Sequence, residues 1–426
     1  MSDHSEASRR ARLAWCLYDW ANSAFPTIIV TFVFSTYFVK SVAEDEISGA
    51  VQWGYALSLS GVAIAIIAPI VGAISDRRGA RKSWLGVFTM LCIVGAALTW
   101  FVRPEADFIV MALVLIAISN AAFEICMVFY NSMLADVAPP GRMGWMSGWA
   151  WGLGYFGGLT CLILAYVAFI QPETPLFGLD KSDGALEHIR FTTGPVVALW
   201  FALFSLPLFL FVPERSVPRV SMAQAARDGL ATLWLTMREI GRYRQIALFL
   251  LARLFFIDGL NTMFAFGAIY AAAVFSFGPG EIFQFAIALN VSAGIGAVAA
   301  GYLDDRLGSK ATILIALAGL LVFGMPLLII ETKLWFWLLA VPLGLFMGPT
   351  QAASRTMMAR LAPPDMKAEM FGLFAFSGKV TAFLGPAAYA WFTDAFQTQR
   401  AGMATIFVFI VAGAALLTQV GEPARD

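Results

Sequence analysis

Six charged side chains lie inside stretches of this chain that are otherwise almost wholly apolar. Acids and bases are equal in number among them, and the six are Asp19, Glu124, Asp258, Arg253, Arg355 and Lys379. A charge near the centre of a bilayer costs about a few kcal/mol or more, so each one must be paired or face water. Because a buried charge without a partner is far costlier than a paired one, the balance predicts mutual pairing around a polar cavity.

Two roles for these side chains follow from their chemistry. In the first, a base such as Arg355 or Lys379 binds the carboxylate of a solute while an acid such as Glu124 takes up a proton. In the second, the pairs only hold helices together and form gates. Proton uptake stays open, because an acid beside bases usually remains ionised. Arg253 is the weakest candidate ligand, since it lies nearer a helix end and can extend toward the interface.

Membrane-spanning helices are the elements that must position these charges. Of the 426 residues, 60% are hydrophobic and 13% are charged, and the mean hydropathy is +0.76. A helix needs about 20 mostly apolar residues to cross a hydrocarbon core of roughly 30 Å, and such stretches recur along the whole chain. We predict twelve spans, all helical, because a segment in lipid must satisfy its own backbone hydrogen bonds. They are 13–39, 51–75, 83–102, 107–135, 144–169, 195–213, 246–274, 281–304, 311–330, 334–359, 370–394 and 402–420.

The second half of the chain repeats the first. The clearest match lies after the second and eighth spans, where a glycine, an acid, an arginine, a glycine and a base recur at identical spacing. The two copies are Gly72, Asp76, Arg77, Gly79 and Arg81, and Gly301, Asp305, Arg306, Gly308 and Lys310. In both copies the glycine permits a tight turn at a helix end, and the bases lie where the helix dipole is negative.

Two further matches support the repeat. Ala138-Pro139-Pro140 recurs as Ala362-Pro363-Pro364, which lies 224 residues later. The first span carries Asp19 and Asn22, the seventh carries Asp258 and Asn261, and the shared spacing places an acid and an amide on one helical face.

The repeat predicts two bundles of six helices in the same membrane orientation. We expect an N-terminal bundle at 1–213, a linker at 214–244 and a C-terminal bundle at 245–426, with the solute site near the bilayer midplane between the bundles. The linker mixes arginines with Leu230, Leu233 and Trp234. An amphipathic helix on the inner leaflet and a solvated connector both fit that composition.

The duplicated segment resembles the best-known signature of the major facilitator superfamily. That resemblance implies twelve transmembrane helices in two pseudo-symmetric bundles and transport by alternating access. It also implies that the acid of each copy latches the two bundles together in one state. We therefore assign gating, rather than solute binding, to the ten residues of the two copies.

Residues 18–25, Tyr-Asp-Trp-Ala-Asn-Ser-Ala-Phe, resemble the opening signature of one branch of that superfamily. This branch contains the autophagy-related vacuolar amino-acid effluxers of fungi and many bacterial proteins. The segments 351–356 and 377–379 resemble its C-terminal signature, and 129–131 resemble its fourth-span pattern. With the intramembrane charges, these segments give the predicted solute- or ion-binding set of Asp19, Asn22, Glu124, Asn131, Asp258, Asn261, Gln351, Arg355 and Lys379.

The function predicted from the sequence is secondary transport of small polar solutes, in particular amino acids or related zwitterions and anions. A membrane sensor that binds solute without flux and a polytopic enzyme acting on lipid are the alternatives. The enzyme is disfavoured, because we find no His or Cys constellation and no Ser beside a base. We expect no catalytic residue, metal, cofactor or nucleic-acid partner. An ATP-driven pump is disfavoured because a Gly-x4-Gly-Lys-Ser/Thr loop is missing from the sequence.

The distribution of basic residues predicts the orientation. With both termini in the cytoplasm, 19 bases fall on the cytoplasmic side and 6 on the other, as the positive-inside rule requires. Compact loops and a short N-terminus favour a bacterial inner membrane over a vacuolar one. A monomer is the expected state, since the superfamily typically functions as monomers.

Overall fold

The computed structural model describes residues 7–79, 81–214, 221–238 and 240–423, which form helices joined by short loops and contain no strand. The helices of the first half are α1 Arg9–Val42, α2 Glu46–Arg78, α3 Arg81–Phe101, α4 Ala106–Val137, α5 Met143–Ile170 and α6 Glu187–Phe211. A connecting helix, α7, spans Met222–Arg238. The second half contains α8 Arg244–Phe275, α9 Pro279–Leu307, α10 Ser309–Leu328, α11 Lys333–Leu361, α12 Lys367–Ser377, α13 Leu384–Phe396 and α14 Gln399–Thr418.

Eleven of the described helices are long and apolar enough to cross a membrane, which confirms the all-helical membrane fold. The predicted separation of the spans 311–330 and 334–359 is also confirmed, because α11 begins at Lys333 and its N-cap residue Thr332 accepts a hydrogen bond from the backbone N–H of Trp335. The sixth helix begins at Glu187 rather than at 195. Its first turns carry polar residues, which the apolar pattern alone did not include.

The eleventh predicted span, 370–394, is wrong as a single helix. The chain forms α12 and α13 with turns at 378–383 between them. Two features weaken the helix here: Gly378 has low helix propensity, and Pro386 has no N–H to donate to the carbonyl of Ala382.

The connecting helix α7 packs along the end of α2. A Cβ atom on Gly229 would lie 2.9 Å from the backbone nitrogen of Ile74, so this contact requires a residue without a side chain. Trp234 is 70% exposed on the opposite side. The structure shows a helix at Met222–Arg238 of the predicted linker, and its location on the inner leaflet stays a prediction. Residues 215–220 and 239 of the predicted linker lie outside the described residues.

The helices of the two halves meet at the end of the bundle where the described residues begin at Ala7 and end at Pro423, called the termini end below. There α5 packs against α9 and α2 packs against α12. Small residues permit the contact: a Cβ atom on Gly148 would lie 2.5 Å from the carbonyl oxygen of Ala297, and one on Gly372 would lie 2.6 Å from that of Ala68. At both contacts the backbones of the two helices therefore approach each other directly.

Candidate functional site

A cavity of about 160 Å³ lies between the two halves. This volume is below the roughly 300–1,000 Å³ of pockets for drug-sized ligands, so it fits a small solute. The predicted residues that line it are Glu124, Asn131, Asn261, Gln351, Arg355 and Lys379. Asp19, Asn22 and Asp258 do not belong to the lining in the part of the chain that the structure describes.

Glu124 and Lys379 form an ion pair inside this cavity. Lys379 Nζ lies 2.7 Å from Glu124 Oε1, and the two side chains are 27% and 25% exposed. Glu124 comes from α4 of the first half, whereas Lys379 comes from the break between α12 and α13 of the second. The pair therefore joins the halves while both charges remain accessible from the cavity.

Arg355 lines the cavity, and its guanidinium N–H groups donate hydrogen bonds to residues of the other half. Its guanidinium donates to Asp19 Oδ2 at 2.9 Å, to Ser147 Oγ at 2.9 Å and to the carbonyl oxygen of Ser147 at 2.7 Å. The side chain is only 1% exposed. Arg355 also lies 5.1 Å from the ring centroid of Trp15, within the range of a cation–π contact. It is thus a buried connection between the halves.

The two predicted acid–amide motifs have different surroundings. Asn22 donates to Asp19 Oδ1 at 3.3 Å, so this pair supports the contact with Arg355. Asp258 points to its own half, where its Oδ2 accepts a hydrogen bond from the backbone N–H of Gly385 at 2.9 Å. Asn261, one turn further along α8, lines the cavity.

Several lining residues were not in the predicted set. Arg253 lines the cavity and is stacked on Phe374, with 3.5 Å between the guanidinium carbon and the ring centroid. Met127, Trp151 and Phe371 add apolar surface. The charge of Arg253 within an apolar stretch was a usable signal, whereas the other three resemble ordinary packing residues.

The acids of the duplicated segment contact the opposite half at the termini end. Asp76 accepts a hydrogen bond from the backbone N–H of Glu369 in the first turn of α12 at 2.8 Å. Asp305 accepts from the backbone N–H groups of Gly144 and Trp145 at 2.7 and 2.8 Å, at the start of α5. A carboxylate at a helix N-terminus is favoured by the free N–H groups and by the dipole.

The other residues of the two copies have structural contacts within or beside these loops. Gly79 ends α2 with φ +70°, and Gly308 follows α9 with φ +95°, conformations that favour glycine. Arg77 donates to Thr232 of α7 at 2.6 Å, and Arg81 pairs with Asp76 at 2.6 Å. The remaining members, Gly72, Gly301, Arg306 and Lys310, lie at the helix contacts or helix ends of this region.

Hydrogen bonds and ion pairs between the halves lie, among the described residues, between the termini end and the level of the Glu124–Lys379 pair. The deepest hydrogen bond joins Tyr155 Oη to Gln351 Oε1 at 2.6 Å. The cavity is therefore closed toward the termini end.

Two bundled halves, a polar cavity between them and closure at one end define a membrane transporter of the major facilitator superfamily, whose family model matches residues 4–160. The model described as "Vacuole effluxer Atg22 like" matches residues 142–423. The chain belongs to this Atg22-like family.

Named relatives agree with this assignment. A Bacillus subtilis protein named uncharacterized MFS-type transporter YxiO is 28% identical over 418 residues, covering 96% of this chain and 94% of that protein. Autophagy-related protein 22 of Pichia angusta is 23% identical over 84% of this chain and 72% of that protein. The match to the protein of the same name from Cryptococcus neoformans covers 63% of this chain and about half, 48%, of that relative.

The structure of the transporter FucP in its outward conformation superimposes with a TM-score of 0.73 at 15% identity, covering 97% of this chain and 98% of that one. The human organic anion transporter MFSD10 gives a TM-score of 0.69 at 15% identity, with coverage of 98% and 100%. At these identities the likeness shows the fold alone.

Proposed function

We propose that the protein is a secondary active transporter that moves small zwitterionic or anionic solutes, amino acids among them, by alternating access. The observation that supports this most directly is the Glu124–Lys379 pair, which joins the two halves across an accessible cavity at 2.7 Å. A zwitterion carries both complementary charges. Its ammonium can pair with Glu124 while its carboxylate pairs with Lys379.

Exchange of these partners couples binding to movement of the halves. In the absence of solute, the direct ion pair favours the arrangement in which α4 and the α12–α13 break lie close together. A bound zwitterion replaces that direct contact, and a solute can change the balance of two states only through such differential interactions. In this proposal residues 1–213 and 245–426 move as two bundles, joined by the linker 214–244.

Arg355 has a different role from the one its residue type first suggested. Its donors are taken up by Asp19 and Ser147, so Lys379 is the better carboxylate ligand. Asp76 and Asp305 hold the termini end closed, and their release is the gating step. With both termini in the cytoplasm of a bacterial inner membrane, the described state is outward-facing.

Ligand stabilisation followed by flux tests the proposal. The purified protein is heated with single amino acids, dipeptides and organic acids, since a compound that binds the native state raises its melting temperature. Compounds that stabilise it then enter counterflow assays in proteoliposomes. We expect the zwitterions to give both stabilisation and flux.

The lysine variants connect this result to the site. Removing the ammonium by Lys379→Ala is expected to weaken solute binding by about tenfold or more, because one charged hydrogen-bonding partner is lost. Lys333→Ala is the matched control, because Lys333 forms an exposed pair with Glu281, 2.6 Å apart, away from the cavity. Unchanged flux in Lys379→Ala and Glu124→Ala would exclude this binding mode.

Two other results would favour other functions or settle the energy source. Saturable binding without flux under any gradient would favour a sensor, and hydrolysis or group transfer by the purified protein would favour a lipid-acting enzyme. Flux that responds to a pH gradient and loses the response in Glu124→Gln would identify a coupling proton.

A further inference from the structure

The turns at 378–383 form a break in a membrane helix, and a glycine lies at each end of the break. Gly378 follows the last residue of α12, and Gly385 lies in the first turn of α13. Between them, the backbone N–H groups of Lys379 and Leu384 donate to the carbonyl three residues earlier, at 3.0 and 2.8 Å. A break of this kind leaves carbonyls at one helix end and N–H groups at the next without helical partners, and in a membrane the protein itself must supply them.

Arg253 of α8 supplies a donor from another helix for the end of α12, where Ser377 Oγ also donates to the carbonyl oxygen of Phe374 at 2.9 Å. Its Nη1 donates to the carbonyl oxygen of Phe374 at 2.8 Å and to Ser377 Oγ at 2.9 Å. A positive charge at a helix C-terminus also interacts favourably with the helix dipole. A Cβ atom on Gly378 would lie 3.0 Å from Arg253 Nη1, so the guanidinium occupies the space that a side chain would need.

Asp258 of the same helix supplies the acceptor for the start of α13. Its Oδ2 accepts from the backbone N–H of Gly385 at 2.9 Å, which places a negative charge at a helix N-terminus. A Cβ atom on Gly385 would collide with Thr262 Oγ1 on α8, so only glycine permits this approach. Among the described residues, the second carboxylate oxygen, Oδ1, is buried without a hydrogen-bond partner, so the backbone N–H of Gly385 is the contact that the side chain makes at this helix start.

We propose that Arg253 and Asp258 are positioning residues that hold the helix break in place and thereby present Lys379 to Glu124. The two residues are five positions apart on α8, about 7.5 Å along its axis, so one continuous helix spans both ends of the break. Lys379 lies within the braced segment, and its Nζ reaches Glu124 at 2.7 Å. We call the contacts of Arg253 with Phe374 and Ser377, and of Asp258 with Gly385, the brace. The consequence for solute binding rests on the proposed function, whereas the brace itself does not.

Hydrogen–deuterium exchange of the full-length protein in detergent tests the brace without any solute. In the wild type we expect exchange at 380–383 to be faster than in α12 and α13, although Val380 and Ala382 donate to the carbonyls of Phe376 and Lys379 at 2.9 and 3.3 Å. Asp258→Leu removes the acceptor and is expected to raise exchange at 384–388 by about tenfold, the factor that corresponds to one net hydrogen bond. Arg253→Met is expected to raise exchange at 375–379, on the other side of the break. Asp258→Asn keeps an acceptor oxygen and is expected to match the wild type.

Several results would overturn the proposal. Exchange at 380–383 in the wild type as slow as that of α14 would show an unbroken helix. Unchanged exchange in both Asp258→Leu and Arg253→Met would show that neither residue holds the break. If Asp258→Leu does not fold, Gly385→Ala crowds Thr262 without changing any charge, and it must then raise exchange at 384–388.

Thiol labelling measures whether the brace positions residue 379. The four native cysteines are buried, so background reaction with a water-soluble methanethiosulfonate is low. Combining Lys379→Cys with Asp258→Leu is expected to change the labelling rate by about tenfold, whereas combining it with Asp258→Asn leaves the rate unchanged. Equal rates in all three backgrounds would refute the positioning role. If exchange and labelling respond but no solute is transported, the brace stands and the proposed function fails.

Discussion

The acids of the two repeats occupy matching positions and make different contacts. Asp19 extends across to the other half, where its Oδ2 accepts a hydrogen bond from Arg355 at 2.9 Å. Asp258 stays within its own half and accepts a backbone N–H. The amides differ as well, since Asn22 donates to Asp19 while Asn261 lines the cavity.

The neighbouring helix explains the difference. The first helix, α1, packs on α5, which is unbroken alongside Asp19 and therefore offers the acid no free backbone N–H. The corresponding helix of the second half, α8, lies beside the break between α12 and α13, where such a group is available. The acid–amide motif thus has the same residue types in both halves, but the neighbouring helix differs, and each acid therefore has a different hydrogen-bond partner.

The largest expected effect is on the free energy of unfolding, which should fall more when Asp19 is replaced than when Asp258 is replaced. Asp19→Leu leaves the buried Arg355 charge without its partner and should lower the free energy of unfolding by roughly 3–5 kcal/mol. Asp258→Leu leaves only a neutral N–H unsatisfied and should cost about 1–3 kcal/mol. Denaturant unfolding of the purified variants, with the melting temperature as a second readout, measures both.

The asparagine variants are the matched controls for this pair. Asp258→Asn retains an acceptor and should be nearly neutral, whereas Asp19→Asn removes the charge opposite Arg355 and should stay destabilised. Combining Asp19→Leu with Arg355→Leu should recover much of the loss, because no unpaired charge remains. Equal losses for the two leucine variants would contradict the distinction between the acids.

A second effect concerns the two amides and solute binding. Asn261→Ala removes a polar group that lines the cavity and should weaken binding by about tenfold, equivalent to roughly 1.4 kcal/mol. Asn22→Ala should leave the affinity within about twofold, since Asn22 contacts Asp19 rather than the cavity. Titration calorimetry with whichever zwitterion stabilises the protein measures both values. A larger loss in Asn22→Ala than in Asn261→Ala would reverse the assignment.

The sequence predicted the fold because lipid leaves few choices. Apolar length fixed the helices, and the duplicated spacing predicted two similar halves that the fold displays. The cavity lining was also largely within reach, since a charge such as Glu124 or Lys379 in an apolar span has few places to lie other than a polar cavity.

The sequence alone could not predict which intramembrane charges pair with each other. Asp19 and Arg355 are 336 positions apart, and residue type alone does not distinguish Asp19 from Asp258 as the partner. The break in the eleventh span was also missed, because Gly378 and Gly385 occur in a stretch whose hydropathy suits one helix. The caps supplied by Arg253 and Asp258 are tertiary contacts, which a pattern along one segment does not contain.

The smallest expected effect concerns two lysines, Lys82 and Lys310, that make equivalent contacts in the two halves. By spacing, Arg81 corresponds to Lys310, yet the contacts match Lys310 with Lys82. Lys82 Nζ donates to the carbonyl oxygen of Val212 at 2.6 Å, after the last turn of α6, and Lys310 Nζ donates to that of Val420 at 2.6 Å, just after α14. Each lysine thus satisfies a carbonyl that follows the last helix of its half.

Because these contacts are the same, the two alanine variants should behave alike. Lys82→Ala and Lys310→Ala should each lower the free energy of unfolding by about 0.3–1 kcal/mol, the range for a cation at a helix C-terminus, and salt should reduce both effects. Arg81→Ala is the contrasting variant, since Arg81 pairs with Asp76 and Asp136 at 2.6 and 3.1 Å and should cost more. If Arg81→Ala rather than Lys82→Ala matched Lys310→Ala, the spacing would describe the repeat better than the contacts do.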